Sequence, residues 1–141
     1  MIIKEEVRDL FTVPQGFYLV HCISGDFALG AGIAKQFVKV YNMKEKLESR
    51  WDFIDKDENK TIIIDNVFNL ITKRKYFQKP TYDSLREALE DMKEQANNLL
   101  ITKLAMPKIG CGLDRLEWSR VKEILEEIFE DTDIEILVCI L

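Results

Sequence analysis

The sequence predicts an α/β domain whose helices cover both faces of a mixed β-sheet. Apolar runs of strand length alternate along the chain with segments of helical periodicity. Two of these runs also lead into glycine loops just before a helix, at Gly30-Ala31-Gly32 and Gly110-Cys111-Gly112. A chain of 141 residues without internal repeats or linkers is long enough for one core, so we expect a single domain over residues 1–141.

Six segments are predicted as strands from their apolar content. The run that begins at Phe17 is almost continuously apolar, which is typical of a strand covered on both faces. Asp65-Asn66 separates two further runs, which form either a hairpin or one interrupted strand. The predicted strands are Ile2–Val7, Phe17–Ile23, Thr61–Ile64, Val67–Thr72, Leu100–Ile109 and Ile134–Leu141.

Four helices are predicted between the strands. The third begins at Thr81 or Ser84, because either side chain can cap it, and Ser84-x-x-Glu87 matches a capping box. Asn97-Asn98 is expected to end that helix, and Asp52–Lys60 is expected to be a polar connection. The other helices are predicted after Leu29–Ala34, with Ile33, Phe37, Val38 and Tyr41 at helical spacing, and at Lys44–Trp51 and Glu117–Glu130.

Composition excludes several classes of protein. A net charge of −5 disfavours a general nucleic-acid binder, although one cationic window holds Lys73, Arg74, Lys75 and Lys79 without an acid between Asp65 and Asp83. No apolar run is long enough to span a membrane, and the first residues carry acids where a signal peptide is basic, so a cytoplasmic location is expected. Three dispersed cysteines and a single histidine predict neither a disulfide framework nor a metal site.

The two glycine loops allow two interpretations. Backbone N–H groups at a strand end before a helix can hold an anion, but glycines at such turns also serve packing. Neither loop matches a P-loop or a dinucleotide-binding fingerprint, because Ala31-Gly32 and Arg115 stand where those motifs need other residues. Asp114 follows the second loop, and on this stretch alone a helix-capping role is slightly favoured for it over a chemical one.

Three segments together resemble a known family. They are His21-Cys22-Ile23-Ser24 with Gly30–Ala34, Leu70-Ile71-Thr72-Lys73 with Lys79-Pro80-Thr81-Tyr82, and Met106–Leu116. In order and spacing they resemble the macrodomains of the terminal ADP-ribose protein glycohydrolase class along essentially the whole chain. The resemblance implies a three-layer α/β/α fold with a mixed central sheet, and an ADP-ribose cleft at the carboxyl ends of its strands.

The resemblance also implies a set of ligand-binding residues. Asp9 would hold the adenine amino group, although Arg8 stands where relatives usually have glycine. The two glycine loops would clamp the diphosphate and the distal ribose, and Cys22 and Ser24 would lie near that sugar. The implied contacts with ADP-ribose are Asp9, Leu10, His21, Cys22, Ser24, Gly30, Ala31, Gly32, Ile33, Ile109, Gly110, Cys111, Gly112 and Leu113.

In the catalytic branch of this family a lysine and an aspartate, which match Lys73 and Asp114, perform the reaction. The lysine attacks the anomeric carbon of the distal ribose while the aspartate handles protons. General chemistry agrees, because a lysine amine is nucleophilic only when neutral and a departing carboxylate needs a proton donor and acceptor. Both residues follow predicted strand ends, so a parallel arrangement would bring them to one rim.

The resemblance is compatible with three functions. The first is a hydrolase that removes ADP-ribose from carboxylate esters on proteins or deacylates O-acetyl-ADP-ribose, without a cofactor and as a monomer. The second is a module that binds ADP-ribose without cleaving it. The third is reversal of ADP-ribosylation on DNA. The presence of both Lys73 and Asp114 favours an enzyme, because a reader needs neither residue.

Overall fold

A computed structural model of the chain describes residues 1–50 and 60–141. The predicted connection at Asp52–Lys60 lies outside these residues except for Lys60. In chain order the strands and helices of the described part are β1 (Ile2–Val7), β2 (Tyr18–Ser24), α1 (Ile33–Tyr41), α2 (Met43–Glu48), β3 (Thr61–Ile64), β4 (Val67–Lys73), α3 (Tyr82–Asn98), β5 (Lys103–Met106), α4 (Trp118–Phe129) and β6 (Glu135–Ile140).

The six strands form one mixed sheet in the order β1-β6-β5-β2-β4-β3. All neighbouring strands are parallel except β3 and β4, which pair antiparallel. The sequence left open whether Asp65-Asn66 joins a hairpin or interrupts one strand, and the structure shows a hairpin. Asp65 takes a left-handed conformation there (φ 54°), which aspartate tolerates better than most residues.

The sheet carries helices on both faces, as the sequence predicts. Helices α3 and α4 pack on one face over β-strand residues such as Val20, Phe68 and Leu104. Helices α1 and α2 pack on the other face over neighbours in the same strands, such as Leu19, Val67 and Ala105. Because successive strand residues point to opposite faces, the nearly continuous apolar runs fill both cores.

Several element boundaries differ from the prediction. Helix α3 is capped by Thr81, whose hydroxyl accepts from the Ser84 N–H while the Ser84 hydroxyl accepts from the Thr81 N–H. The capping box is therefore Thr81 with Ser84, and the predicted Ser84–Glu87 box is wrong, since the chain is already helical at Ser84. The fifth strand is shorter than expected, because Leu100 takes a left-handed conformation and Pro107 cannot donate to the ladder.

Within the described part of the chain, no helix is both long and apolar enough to cross a membrane. The three cysteines are all free thiols in this structure.

The topology determines where a ligand site can form, namely at the edge of the sheet where β2, β4 and β5 end. These three adjacent parallel strands bring their carboxyl ends to the same edge of the sheet, which is where open α/β sheets bind ligands.

Candidate active site

A cavity of about 800 Å³ opens at the carboxyl ends of β2, β4 and β5. Its walls come from four segments that are far apart in sequence. They include the end of β2, both glycine loops and the end of β4. The lining residues are Cys22, Ile23, Ser24, Ala28, Leu29, Gly30, Ala31, Gly32, Ile33, Ala34, Lys73, Tyr76, Pro107, Lys108, Ile109, Gly110, Cys111, Gly112, Leu113 and Asp114.

The first glycine loop ends at the N-terminus of α1. Gly32 is the N-cap of that helix and has φ 60°, a conformation that side-chain-bearing residues rarely adopt. No side chain caps this terminus, so the N–H groups of the first turn are available to an anionic ligand. A Cβ atom on Gly30 would lie 3.9 Å from the Ala28 carbonyl oxygen, an ordinary contact distance, so this part of the loop is not crowded.

In the second glycine loop the two glycines serve different purposes. A Cβ atom on Gly110 would lie 2.9 Å from the end of the Leu116 side chain and 3.5 Å from that of Leu85, so this glycine is closely packed and a larger residue would displace Leu116. A Cβ atom on Gly112 would meet nothing within 4 Å. Both have positive φ, at 73° and 75°. The packing interpretation therefore applies to Gly110, whereas Gly112 presents open backbone to the cavity.

The structure brings Lys73 and Asp114 together inside the cavity. The Lys73 ammonium donates to Asp114 Oδ1 over 2.8 Å, and the two side chains are only 17% and 18% exposed. Lys73 is the last residue of β4, and Asp114 ends a short 3-10 turn that begins at Gly112. The predicted meeting of the two side chains at one rim is thus what the structure shows.

Asp114 does not cap the following helix, so the interpretation favoured on that stretch alone is wrong. Helix α4 starts at Trp118 with Glu117 at the N-cap position, and Arg115 takes a left-handed conformation (φ 64°) between the turn and the helix. That conformation ends the 3-10 turn and separates Asp114 from the helix by several residues. The carboxylate is left to pair with Lys73.

Cys22 and Ser24 border the cavity from the end of β2. Burial raises the pKa of the Cys22 thiol to about 12, and the nearby Asp114 carboxylate adds to the rise. The thiol is therefore neutral at physiological pH and is not a nucleophile. The Ser24 hydroxyl donates to Asp26 Oδ1 over 2.5 Å, which leaves its oxygen as an acceptor for a ligand.

His21 does not border the cavity, in contrast to the implied contact. It is fully buried on the α1 side of the sheet, where its ring stacks on Phe37 at 3.9 Å and its Nε2 donates to Asn69 Oδ1. Burial lowers the pKa of His21 to about 4, although the Asn69 hydrogen bond acts in the opposite direction. The reason is its position: His21 lies three residues before the end of β2, too deep in the sheet to reach the rim.

Asp9 and Leu10 also lie outside the cavity lining. Asp9 caps a 3-10 turn at Leu10–Thr12, where its carboxylate accepts from the Phe11 N–H over 2.9 Å. Leu10 is buried in the core on the α1 side. Arg8, which stands where relatives usually have glycine, pairs with Glu6 at 3.6 Å and donates its backbone N–H to Ile140. An adenine contact by Asp9 stays a prediction.

Two residues around the site were missed by sequence reasoning. Tyr76 lines the mouth of the cavity and is 66% exposed. Its position three residues after Lys73 is the feature of the sequence that could have placed it near the site. Asp26 does not line the cavity, and its carboxylate accepts from groups on Ser24 at the end of β2, on Ala28 and on Tyr76. Within the described part of the chain, no group of three or more His, Cys, Asp and Glu side chains is arranged to hold a metal ion.

Comparisons with known proteins agree with this architecture. A family model described as "Macro domain" matches residues 20–125. ADP-ribose glycohydrolase OARD1 from Bos taurus is 44% identical over 134 residues, which cover 92% of this chain and 86% of that protein. OARD1 from Homo sapiens is 41% identical with the same coverage. The macrodomain of Thermus aquaticus DarG shares the fold, with a TM-score of 0.85 at 20% identity over 98% of this chain and 97% of that one. With helices on both faces of one mixed sheet, two glycine loops at the carboxyl ends of its strands and this family match, the chain belongs to the macrodomain family.

Proposed function

We propose that this macrodomain is an ADP-ribosyl hydrolase that releases ADP-ribose from carboxylate esters of glutamate and aspartate on proteins. The observation that carries the proposal is the Lys73–Asp114 pair, a nucleophile candidate and a proton acceptor 2.8 Å apart inside the cavity. The name of its relatives, ADP-ribose glycohydrolase, supports the same class of reaction. This proposal includes O-acetyl-ADP-ribose as a second substrate, which the enzyme would deacylate.

In the proposed binding mode, the diphosphate lies against backbone N–H groups of the two glycine loops. The N-terminus of α1 has no side-chain cap at Gly32, and Gly112 leaves open space for close approach. The distal ribose then lies between the end of β2 and Asp114. Binding needs no metal and no second subunit in this proposal. Calorimetry in the presence of a chelator tests the first point, and a chelator that abolishes binding would contradict it.

In the proposed mechanism, Asp114 accepts a proton from the Lys73 ammonium, and the neutral amine attacks the anomeric carbon of the distal ribose. The new N–C bond forms as the bond to the acceptor breaks, and the acceptor leaves as a carboxylate. Opening of the sugar ring gives an imine on Lys73. Water then adds to the imine, and proton transfer through Asp114 releases ADP-ribose and restores the amine.

The experiment that tests the proposal is trapping of the imine. Incubation with an ADP-ribosylated protein and borohydride is expected to add the mass of ADP-ribose to the peptide that contains Lys73. Lys75→Ala serves as the matched control, because Lys75 belongs to the same cationic window, whereas Lys79 donates to the carbonyl of Leu113 in the cavity wall. An active enzyme without an adduct would mean that water attacks directly, and an adduct on Lys75 or Lys79 would mean that the wrong lysine was chosen.

The two competing functions make different predictions in the same assay. A reader module would bind ADP-ribose without releasing it from any substrate. A hydrolase acting on DNA would release ADP-ribose from ADP-ribosylated DNA in preference to protein. The observation in favour of DNA is a pair of exposed aromatic rings in a cationic segment: Tyr76 lines the cavity, Phe77 is its exposed neighbour, and Lys75 and Lys79 flank the two. Incubation with both substrates side by side decides among the three.

A further inference from the structure

We propose that Asp26 is a positioning residue that aims Lys73 at the substrate by joining the turn after β2 to the loop after β4. This inference rests on the proposed function, because it assigns Asp26 a role in the reaction of Lys73. Asp26 lies in neither glycine loop and does not line the cavity. Its contacts nonetheless connect the strand end that carries Ser24 with the segment that follows Lys73.

The carboxylate of Asp26 accepts three hydrogen bonds. Its Oδ1 accepts from the Ser24 hydroxyl over 2.5 Å and from the Ala28 N–H over 3.2 Å. Its Oδ2 accepts from the Tyr76 N–H over 3.0 Å, fifty positions away in sequence. Burial acts to raise the pKa of Asp26, but the bonds from Ser24, Tyr76 and Ala28 outweigh it, so the net shift is downward. The group is an anion that three donors hold in place.

The second observation is an irregularity where β2 and β4 end. Ile23 pairs with Ile71, but Ser24 pairs with Lys73, so Thr72 is an extra residue in β4. Bulges of this kind redirect side chains and are common beside active sites. Here the bulge immediately precedes Lys73, so the direction of its side chain depends on how the two strand ends are held together.

Backbone contacts bring the two turns into direct apposition. The Gly25 N–H donates to the Lys73 carbonyl over 2.8 Å, and a Cβ atom on Gly25 would lie 3.4 Å from the Arg74 carbonyl oxygen. The loop after Lys73 is itself closed, because the Gln78 side-chain oxygen accepts from the N–H groups of Arg74 and Lys75. Asp26 is thus the side chain that anchors a preformed loop to the end of β2.

The chemistry of the partners makes Asp26→Asn an informative variant. Two of the three groups around the carboxylate are backbone N–H donors, on Ala28 and Tyr76. An asparagine has one acceptor oxygen, so in either orientation of its amide one backbone N–H faces another donor. The variant conserves size and shape while it weakens the side-chain link between the two turns and leaves the backbone bond from Gly25 to Lys73 in place. Asp65→Asn is the matched control, because Asp65 accepts from Lys46 at the opposite end of β4 and asparagine suits its positive φ.

The experiment compares wild-type protein, Asp26→Asn and Asp65→Asn in turnover, ADP-ribose affinity and adduct formation on Lys73. A misaimed nucleophile is expected to lower kcat and the rate of adduct formation by about tenfold or more, while KM and the ADP-ribose Kd change by less than about threefold. Asp65→Asn is expected to match the wild type in all three. A kcat within about twofold of the wild type for Asp26→Asn, or equal losses in affinity and turnover, would overturn the inference.

Amide exchange at Tyr76 separates this inference from the proposed function. In Asp26→Ala, which removes both carboxylate oxygens, the Tyr76 N–H is expected to exchange at least about tenfold faster than in Asp65→Asn, because only the first variant removes its acceptor. Unchanged exchange would show that Asp26 does not anchor the loop, whatever the enzyme does. A wild-type protein without turnover would contradict the proposed function and remove the catalytic part of the inference with it.

Discussion

Strand β4 contributes to two polar pairs that differ in almost every respect. Asn69, in the middle of the strand, binds His21 in a fully buried pair beneath α1 and α2. Lys73, at its end, binds Asp114 in a pair that lines the cavity. The two residues are only four positions apart in one strand. Distance from the carboxyl end of the strand therefore decides which polar side chain can meet a ligand and which one serves the core.

The hydrogen bonds of the buried pair are defined by its surroundings. The Asn69 amide nitrogen donates to the Ile62 carbonyl over 3.1 Å, so its oxygen is the acceptor and His21 Nε2 carries the proton. His21 Nδ1 has no partner among the described residues. Such a pair specifies how α1 packs on the sheet, but neither substrate nor solvent reaches it. The Lys73–Asp114 pair, in contrast, lines the cavity, where a substrate can reach it.

The largest expected effect separates the two pairs by activity. Lys73→Ala is expected to lower turnover by on the order of 10³-fold, because it removes the nucleophile. The affinity for ADP-ribose is expected to stay within about tenfold, or ~1.4 kcal/mol, because Lys73 acts on the bond and contributes little to holding the ligand. Single-turnover kinetics and calorimetry measure the two quantities, with Lys75→Ala as the control. Equal losses in both would make Lys73 a ligand contact in a reader.

The next effect concerns the dependence of stability on pH. The pKa of His21 is about 4 in the folded protein against 6.5 as its ordinary value. Between these values the unfolded chain binds more protons, so the free energy of unfolding falls as pH drops from 6.5 towards 4. The loss approaches about 3 kcal/mol over that window. Urea unfolding at several pH values measures it, and a His21→Leu variant without a flatter profile would break the contrast between the pairs.

The third effect tests the open backbone of the second glycine loop. Gly112→Glu is expected to weaken ADP-ribose binding by about 10²-fold, because a charged side chain would occupy the place of the diphosphate. The substitution also strains a residue with φ 75°. Gly112→Ala shares the strain without the charge and is the control, and circular dichroism confirms folding. Undiminished affinity in a folded Gly112→Glu variant would place the phosphate site elsewhere.

The smallest expected effect is on stability, with turnover nearly unchanged, in contrast to Lys73→Ala. Asn69→Ala is expected to destabilise the fold by about 2 kcal/mol, because it leaves His21 Nε2 and the Ile62 carbonyl without their partners. Turnover of the folded fraction is expected to stay within about twofold. Denaturant unfolding and activity at saturating substrate are the measurements. A large fall in turnover at unchanged stability would show that the buried pair communicates with the site.

Local patterns in the sequence explain why much of the fold could be predicted. Strand β1 and the end of α3 match their predicted bounds, because apolar periodicity and the Asn97-Asn98 stop are local signals. The cavity lining contains both glycine loops for the same reason. The capping box was misplaced by three residues, since Thr81 and Ser84 are both good caps and only tertiary packing chooses between them.

The errors at the site have a different physical origin. His21 and Cys22 are neighbours in a strand, but the His21 side chain points to the α1 side and is covered there by Phe37, a difference that a resemblance naming both residues cannot express. The sequence does not single out Asp26, because its partner Tyr76 is fifty positions away. Such a contact depends on which strands become neighbours, and that is a property of the sheet order, which no local pattern records.

The position of β2 between β5 and β4 has a consequence for refolding. The Lys73–Asp114 contact and the Asp26–Tyr76 contact span 41 and 50 positions, and both need strands joined by long crossovers. Non-local parallel pairing is slow, because loops must close before the contacts that stabilise them exist. Helical signal is expected to return early after dilution from denaturant, and the capacity for catalysis is expected to return only in the slowest phase. Enzymatic activity is thus a more stringent reporter of a native chain than its helix content.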